Sequence, residues 1–119
     1  MKMINQPINM TIQEAQQKIK SLLGPMEHPR LGSFIALTEE VGELANEIMK
    51  SEIYEEKDNL EDLKGELADV FVSLLELANV YGVELSELFE KKVKNIEPRA
   101  KEWATKFGPT LKKKREKLD

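Results

Sequence analysis

LEDLKGELADVFVSLLELANVY, residues 60–81, decides the fold. Leu63, Leu67, Val70, Phe71, Leu74, Leu75, Leu77 and Ala78 recur at helical spacing and cover more than half of the circumference. One bundle face cannot bury so wide an arc, so the helix is expected to pack within its own chain and against a second subunit. Outward from it, Gly82 stands where glycine favours a helix end, and a fourth helix begins near Leu85. In the other direction, Leu37, Val41, Leu44 and Ile48 fall at i, i+4, i+7 and i+11. They define a second helix from about Phe34 to Lys50, with Ser33 as its cap. Ser51 to Asn59 loses this period and reads as a linker. Thr11 and Glu14 have capping-box spacing ahead of Ile12, Ala15, Ile19, Leu22 and Leu23, a first helix that Gly24-Pro25 stops. Pro98 lacks an N–H and clashes with the preceding turn, so it is expected to interrupt and kink the fourth helix. The segment beyond reaches Phe107 before Gly108-Pro109, leaving residues 110–119 as a frayed, basic tail. The expected architecture is all-α: a four-helix bundle formed by a single domain, residues 1–109, that assembles through helix packing into a dimer or tetramer.

At 119 residues the chain suits one compact domain. It has no cysteine, which excludes disulfides, thiolate metal sites and cysteine nucleophiles and fits a reducing compartment. MKMINQPINM at the N-terminus lacks the apolar stretch of a signal peptide, and no run approaches a membrane span. A cytoplasmic protein with no membrane partner is expected. Eighteen basic residues against 22 acidic ones give a net charge of −4, which argues against a nucleic acid polymer as partner. The charge is uneven, however. Residues 39–90 hold most of the acid, whereas Lys91, Lys92, Lys94, Arg99, Lys101, Lys106, Lys112, Lys113, Lys114, Arg115 and Lys117 make the end basic. Such a chain has the means to hold a metal and a polyanion, although the run from Lys112 to Lys117 alone reads as solvated tail.

Two acidic clusters carry the chemistry: Glu39-Glu40-Val41-Gly42-Glu43 on the second helix and Glu66-Leu67-Ala68-Asp69 on the third. Residues three apart share a helix face, so Glu40 with Glu43 and Glu66 with Asp69 each turn two carboxylates toward one point. If the helices are antiparallel neighbours, the pairs converge. Hard oxygen ligands without His or Cys select magnesium, manganese or calcium. Glutamate is common on exposed helix faces, and eighteen of them occur here, so an EExxE string is weak by itself. Two features strengthen it. Gly42 and Gly65 accept the cost of glycine in a helix interior, and with Ala45 and Ala68 they suggest close backbones where the acids lie. The acids also sit on the most apolar helices. No Gly-rich phosphate loop, HExxH or GxSxG occurs, and His28 is the only histidine.

LTEEVGELANEI (residues 37–48), GELADVFVSLLELANVYGVEL (residues 65–85) and KKVKNIEPR (residues 91–99) resemble the MazG-like nucleotide pyrophosphohydrolases, of the all-alpha NTP pyrophosphatase superfamily. The likeness rests on EExxE, ExxD and Lys/Asn/Arg elements in the family's order, over about residues 34–103. It implies magnesium-dependent hydrolysis of a nucleoside triphosphate between its α- and β-phosphates, giving monophosphate and pyrophosphate, in the clearance of unwanted nucleotides. Manganese is a possible substitute for the metal. Glu40, Glu43, Glu66 and Asp69 match the metal ligands, and Glu39 or Glu43 the acceptor of the attacking water's proton. Lys91, Asn95 and Arg99 match phosphate and sugar contacts; their i, i+4, i+8 spacing puts them on one helix face unless Pro98 swings Arg99 away. His28-Pro29-Arg30 resembles a stretch near the base in some relatives, against the ordinary surface place of a loop histidine. Trp103 either stacks on a base or packs in the core, the commoner place for a lone Trp on an amphipathic helix. Other readings are a non-catalytic nucleotide- and metal-binding regulatory module and a structural bundle with solvated acids. A di-iron site is disfavoured because neither cluster has the Glu-x-x-His arrangement.

Overall fold

A computed structural model describes residues 9–56 and 58–119. Residues 1–8, which the sequence reading includes in the domain and reads as lacking a leader, lie outside the described residues, as does Lys57 of the expected linker. All regular structure among the described residues is helical: α1 (Ile12–Leu23), α2 (Arg30–Ile48), α3 (Leu60–Val80) and α4 (Leu85–Leu118). A 3₁₀ turn at Gly24–Met26 follows α1, and a π-helical turn at Met49–Ile53 ends α2. The chain divides into two compact units, one ending at Leu85 and the other Ser86–Asp119. No helix among the described residues is long and apolar enough to cross a membrane.

In the first unit, α2 and α3 pair as an antiparallel hairpin. Near the start of α2, Ser33 Oγ donates to Glu76 Oε1 late in α3 at 3.0 Å; near its end, Glu47 meets Asn59 at the head of α3. The first helix packs on α3 through Gln16, which is buried. Gln16 Nε2 donates to the Val83 carbonyl, its Oε1 accepts from Leu85 N–H at 3.0 Å, and its main-chain carbonyl accepts from Asn79 Nδ2 at 3.0 Å. These bonds satisfy backbone groups that the turn after α3 leaves without helical partners. Leu75 and Ala78 form the buried apolar centre of the chain.

The expected capping box is present: Thr11 Oγ1 accepts from Glu14 N–H and Glu14 Oε1 from Thr11 N–H, both at 3.0 Å. Gly82 adopts φ 66°, and the bonds from Gly82 N–H to Asn79 O and from Val83 N–H to Ala78 O close α3 with a glycine-dependent turn. Other expectations are corrected. Ser33 does not cap α2, which starts at Arg30 behind Pro29; the serine is buried on α3 instead. Pro98 does not interrupt α4, and the tail is not frayed: the helix runs through Pro98 and Pro109 to Leu118. Each proline removes one N–H, but on an exposed helix water can take the freed carbonyl, and the turns on either side hold the helix. Nor do Gly42 and Gly65 mark a close approach of backbones, since a Cβ at either would meet open space. Both glycines lie on exposed helix surface.

Candidate metal centre

Halfway along the hairpin, the i, i+3 spacing on α2 and the antiparallel register on α3 bring Glu40, Glu43 and Glu66 together. Each offers a carboxylate oxygen, and the three atoms lie within 4.8 Å of one another. Glu40 and Glu66 are half-buried and Glu43 is exposed, so the cluster has a closed side and an open one. On the closed side, Glu40 Oε2 and Glu66 Oε2 are buried without any hydrogen-bond partner. Buried polar atoms are nearly always paired, and an orphaned carboxylate oxygen is a strong sign of an absent partner.

The electrostatics agree with that geometry. Burial pushes the Glu40 carboxyl above its ordinary value, and the charges of Glu43, Asp69 and Glu39 push it further. Burial likewise raises the Glu66 carboxyl first, followed by Glu43, Asp69 and Glu40. Both groups resist ionisation, first because burial strips the charged form of water and second because their neighbours are negative. A divalent cation would supply positive charge, and a set of hard oxygen donors suits magnesium, manganese or calcium. The residues present therefore fit such an ion.

The expected fourth ligand, Asp69, stands beside the three rather than among them. Its charge reaches Glu40 and Glu66, but its side chain is one carbon shorter and lies a turn beyond Glu66. Glu39 is exposed and acts on Glu40 only through its charge, the weakest of the influences there. Lys91, Asn95 and Arg99 stand at i, i+4 and i+8 of one unbroken helix, so Pro98 does not end the helix between Asn95 and Arg99; all three are exposed, and Lys91 Nζ lies 3.6 Å from Glu87 Oε1. Trp103, on the second unit, is 42% exposed. His28 is a surface residue that is nevertheless anchored, with Nδ1 2.9 Å from Glu76 Oε1.

The domain model of the MazG nucleotide pyrophosphohydrolase matches residues 33–104, more than half of the chain. The chain belongs to the MazG family. No curated protein and no solved structure matches it. The matched interval takes in Glu39, Glu40, Glu43, Glu66, Asp69, Lys91, Asn95, Arg99 and Trp103 and leaves out His28, α1 and the C-terminal end of α4. The all-α architecture is thus that of a MazG bundle, its domain is that of a nucleotide pyrophosphohydrolase, and its glutamate cluster is able to hold a metal.

Three polar residues of the MazG chain were not legible as structural partners. Glu76, on the apolar third helix, receives Ser33 and His28; Glu47 receives Lys50 at 3.3 Å and Asn59; Gln16 anchors α1. Glu47 continues the helical face of Glu40 and Glu43 at i+7 and i+4, which was the one available signal for it.

Proposed function

We propose that this MazG protein is a magnesium-dependent nucleoside triphosphate pyrophosphohydrolase that cleaves between the α- and β-phosphates of an NTP or dNTP, releasing monophosphate and pyrophosphate in nucleotide-pool clearance. The observation that carries the reading is the convergence of Glu40, Glu43 and Glu66 with two buried oxygens lacking partners, inside a MazG domain. Glu40, Glu43 and Glu66 would hold the ion, with Asp69 completing the negative field. Magnesium supplies charge neutralisation on the phosphate oxygens and orients the group being attacked.

The chain's own residues divide the remaining work. Glu43, exposed on the open side, or Glu39, next to Glu40, would accept a proton from the attacking water. Lys91, Asn95 and Arg99 share one face of α4 and bring two cations and an amide to phosphate and sugar. His28 and Trp103 are candidate contacts for the base. We read the working form as a cytoplasmic homodimer or homotetramer. Supporting this, Leu67, Phe71 and Leu74 on α3 are left uncovered by the other helices of the first unit, an apolar stripe that calls for a partner surface.

Incubating the protein with magnesium and a panel of canonical and modified NTPs and dNTPs tests the reading. Monophosphate plus pyrophosphate, abolished by a chelator, is the expected result. Diphosphate plus phosphate would refute the cleavage site, and an absence of product with folded protein would refute the enzyme.

A further inference from the structure

Asn59 stands immediately before α3, where an asparagine side chain ordinarily accepts a hydrogen bond from the first turn of the helix. It makes no such bond. Asp58 Oδ1 accepts from Leu60 N–H at 3.1 Å instead, which frees Asn59 for another task. Asn59 is 5% exposed, and its amide turns back across the hairpin: Nδ2 donates to the Glu47 carbonyl at 2.8 Å and to Glu47 Oε2 at 2.7 Å. Both hydrogens of the amide are therefore used on one residue of α2. The π-helical turn Met49–Ile53 begins two residues after Glu47, and the wider turn alters the helical bonding of the carbonyls that precede it. Ser51 Oγ reaches the same carbonyl at 3.4 Å, and Lys50 holds Glu47 Oε1 at 3.3 Å.

The position of this clamp relates directly to the carboxylates. Seven residues back along α2 from Glu47 is Glu40, and seven residues forward along α3 from Asn59 is Glu66. Seven residues are close to two full helical turns, so in an antiparallel pair the faces that meet at Glu47 and Asn59 meet again at Glu40 and Glu66. A slip of one residue at the clamp would rotate each helix by about 100° and carry the carboxylates off their common point.

We propose that Asn59 is a positioning residue of the metal centre, locking α2 against α3 in the register that makes Glu40, Glu43 and Glu66 converge. This rests on reading the cluster as a metal site. By linkage, a clamp that favours metal binding must itself be favoured by metal.

The test follows Mn²⁺ affinity by electron paramagnetic resonance in wild type, Asn59→Ala and Leu75→Ala, with thermal unfolding of each. Asn59→Ala is expected to bind Mn²⁺ about tenfold more weakly, the scale of lost hydrogen bonds to a charged group, while remaining helical. Leu75→Ala, a core truncation off the clamp, is expected to lower Tm and leave the affinity of the folded protein within about twofold. Equal affinity in Asn59→Ala and wild type overturns the proposal; so does an equal weakening in both variants, which would mark a merely structural role. Should Asn59→Ala fail to fold, wild type decides: the Asn59 side-chain amide protons are expected to exchange more slowly with solvent once Mg²⁺ is bound, and unchanged exchange overturns the clamp. If wild type binds no Mn²⁺, the metal-site reading itself falls and this inference with it.

Discussion

Glu66→Gln separates the two forces acting at the cluster. In the metal-free protein at neutral pH, the Glu66 carboxyl is held above its ordinary value by burial and by its acidic neighbours, so its ionised form opposes folding. A neutral amide of the same shape removes that opposition, and metal-free Glu66→Gln is expected to melt higher than metal-free wild type. Magnesium then reverses the order. At a concentration about a hundredfold above its dissociation constant, a ligand stabilises the folded state by about 2.7 kcal/mol. For a domain of this size that raises Tm by roughly 10 °C. Glu66→Gln lacks one of three converging oxygens and should show little of this gain. Scanning calorimetry of both proteins, with magnesium and with chelator, reads all four values. A variant that melts lower than wild type without metal, yet keeps the full magnesium shift, would refute the reasoning: Glu66 would then be a structural residue with no ion to hold.

Because both Glu40 and Glu66 are raised above 4.5 in the folded state, the stability they contribute is complete below about pH 4.5 and is lost as pH climbs through their raised values. Metal-free wild type should therefore lose Tm over that interval relative to the Glu40→Gln/Glu66→Gln double variant, and parallel pH profiles would contradict the shifts. Glu43→Gln and Asp69→Asn are each expected to cut pyrophosphate release by about a hundredfold or more while circular dichroism stays helical. Retained activity, or unfolding, would remove them from the site. Gly82→Ala should cost about 1–2 kcal/mol by chemical denaturation, since φ 66° strains any L-residue. A Cβ there meets no neighbour, so a much larger loss would point to a contact outside the single chain.

What the sequence revealed and what it hid divide along a physical line. The first helix start, the end of α3 and the pairing of Glu40 with Glu43 depend on interactions within a few residues: a capping box, a positive φ, and an i, i+3 face. The start of α2, misjudged from sequence, involves a partner far along the chain. Ser33 looks like a cap because serine usually is one, and only the distant Glu76 gives it a better hydrogen bond. Asn59 likewise turns to the distant Glu47, and Gln16 is buried where its amide bonds the turn after α3. Pro98 misleads in the opposite sense, since a local rule against proline counts one lost bond and not the turns on both sides that keep α4 helical. The metal centre joins the two classes. Its ligands are named by local spacing, but their convergence depends on the register between α2 and α3. That register is held at the two ends of the hairpin, by Ser33 and His28 on Glu76 and by Asn59 on Glu47, away from the acids themselves. Carboxylates that repel one another cannot hold their own scaffold together, so the polar bonds that gather them have to lie outside the cluster, where local sequence patterns do not point.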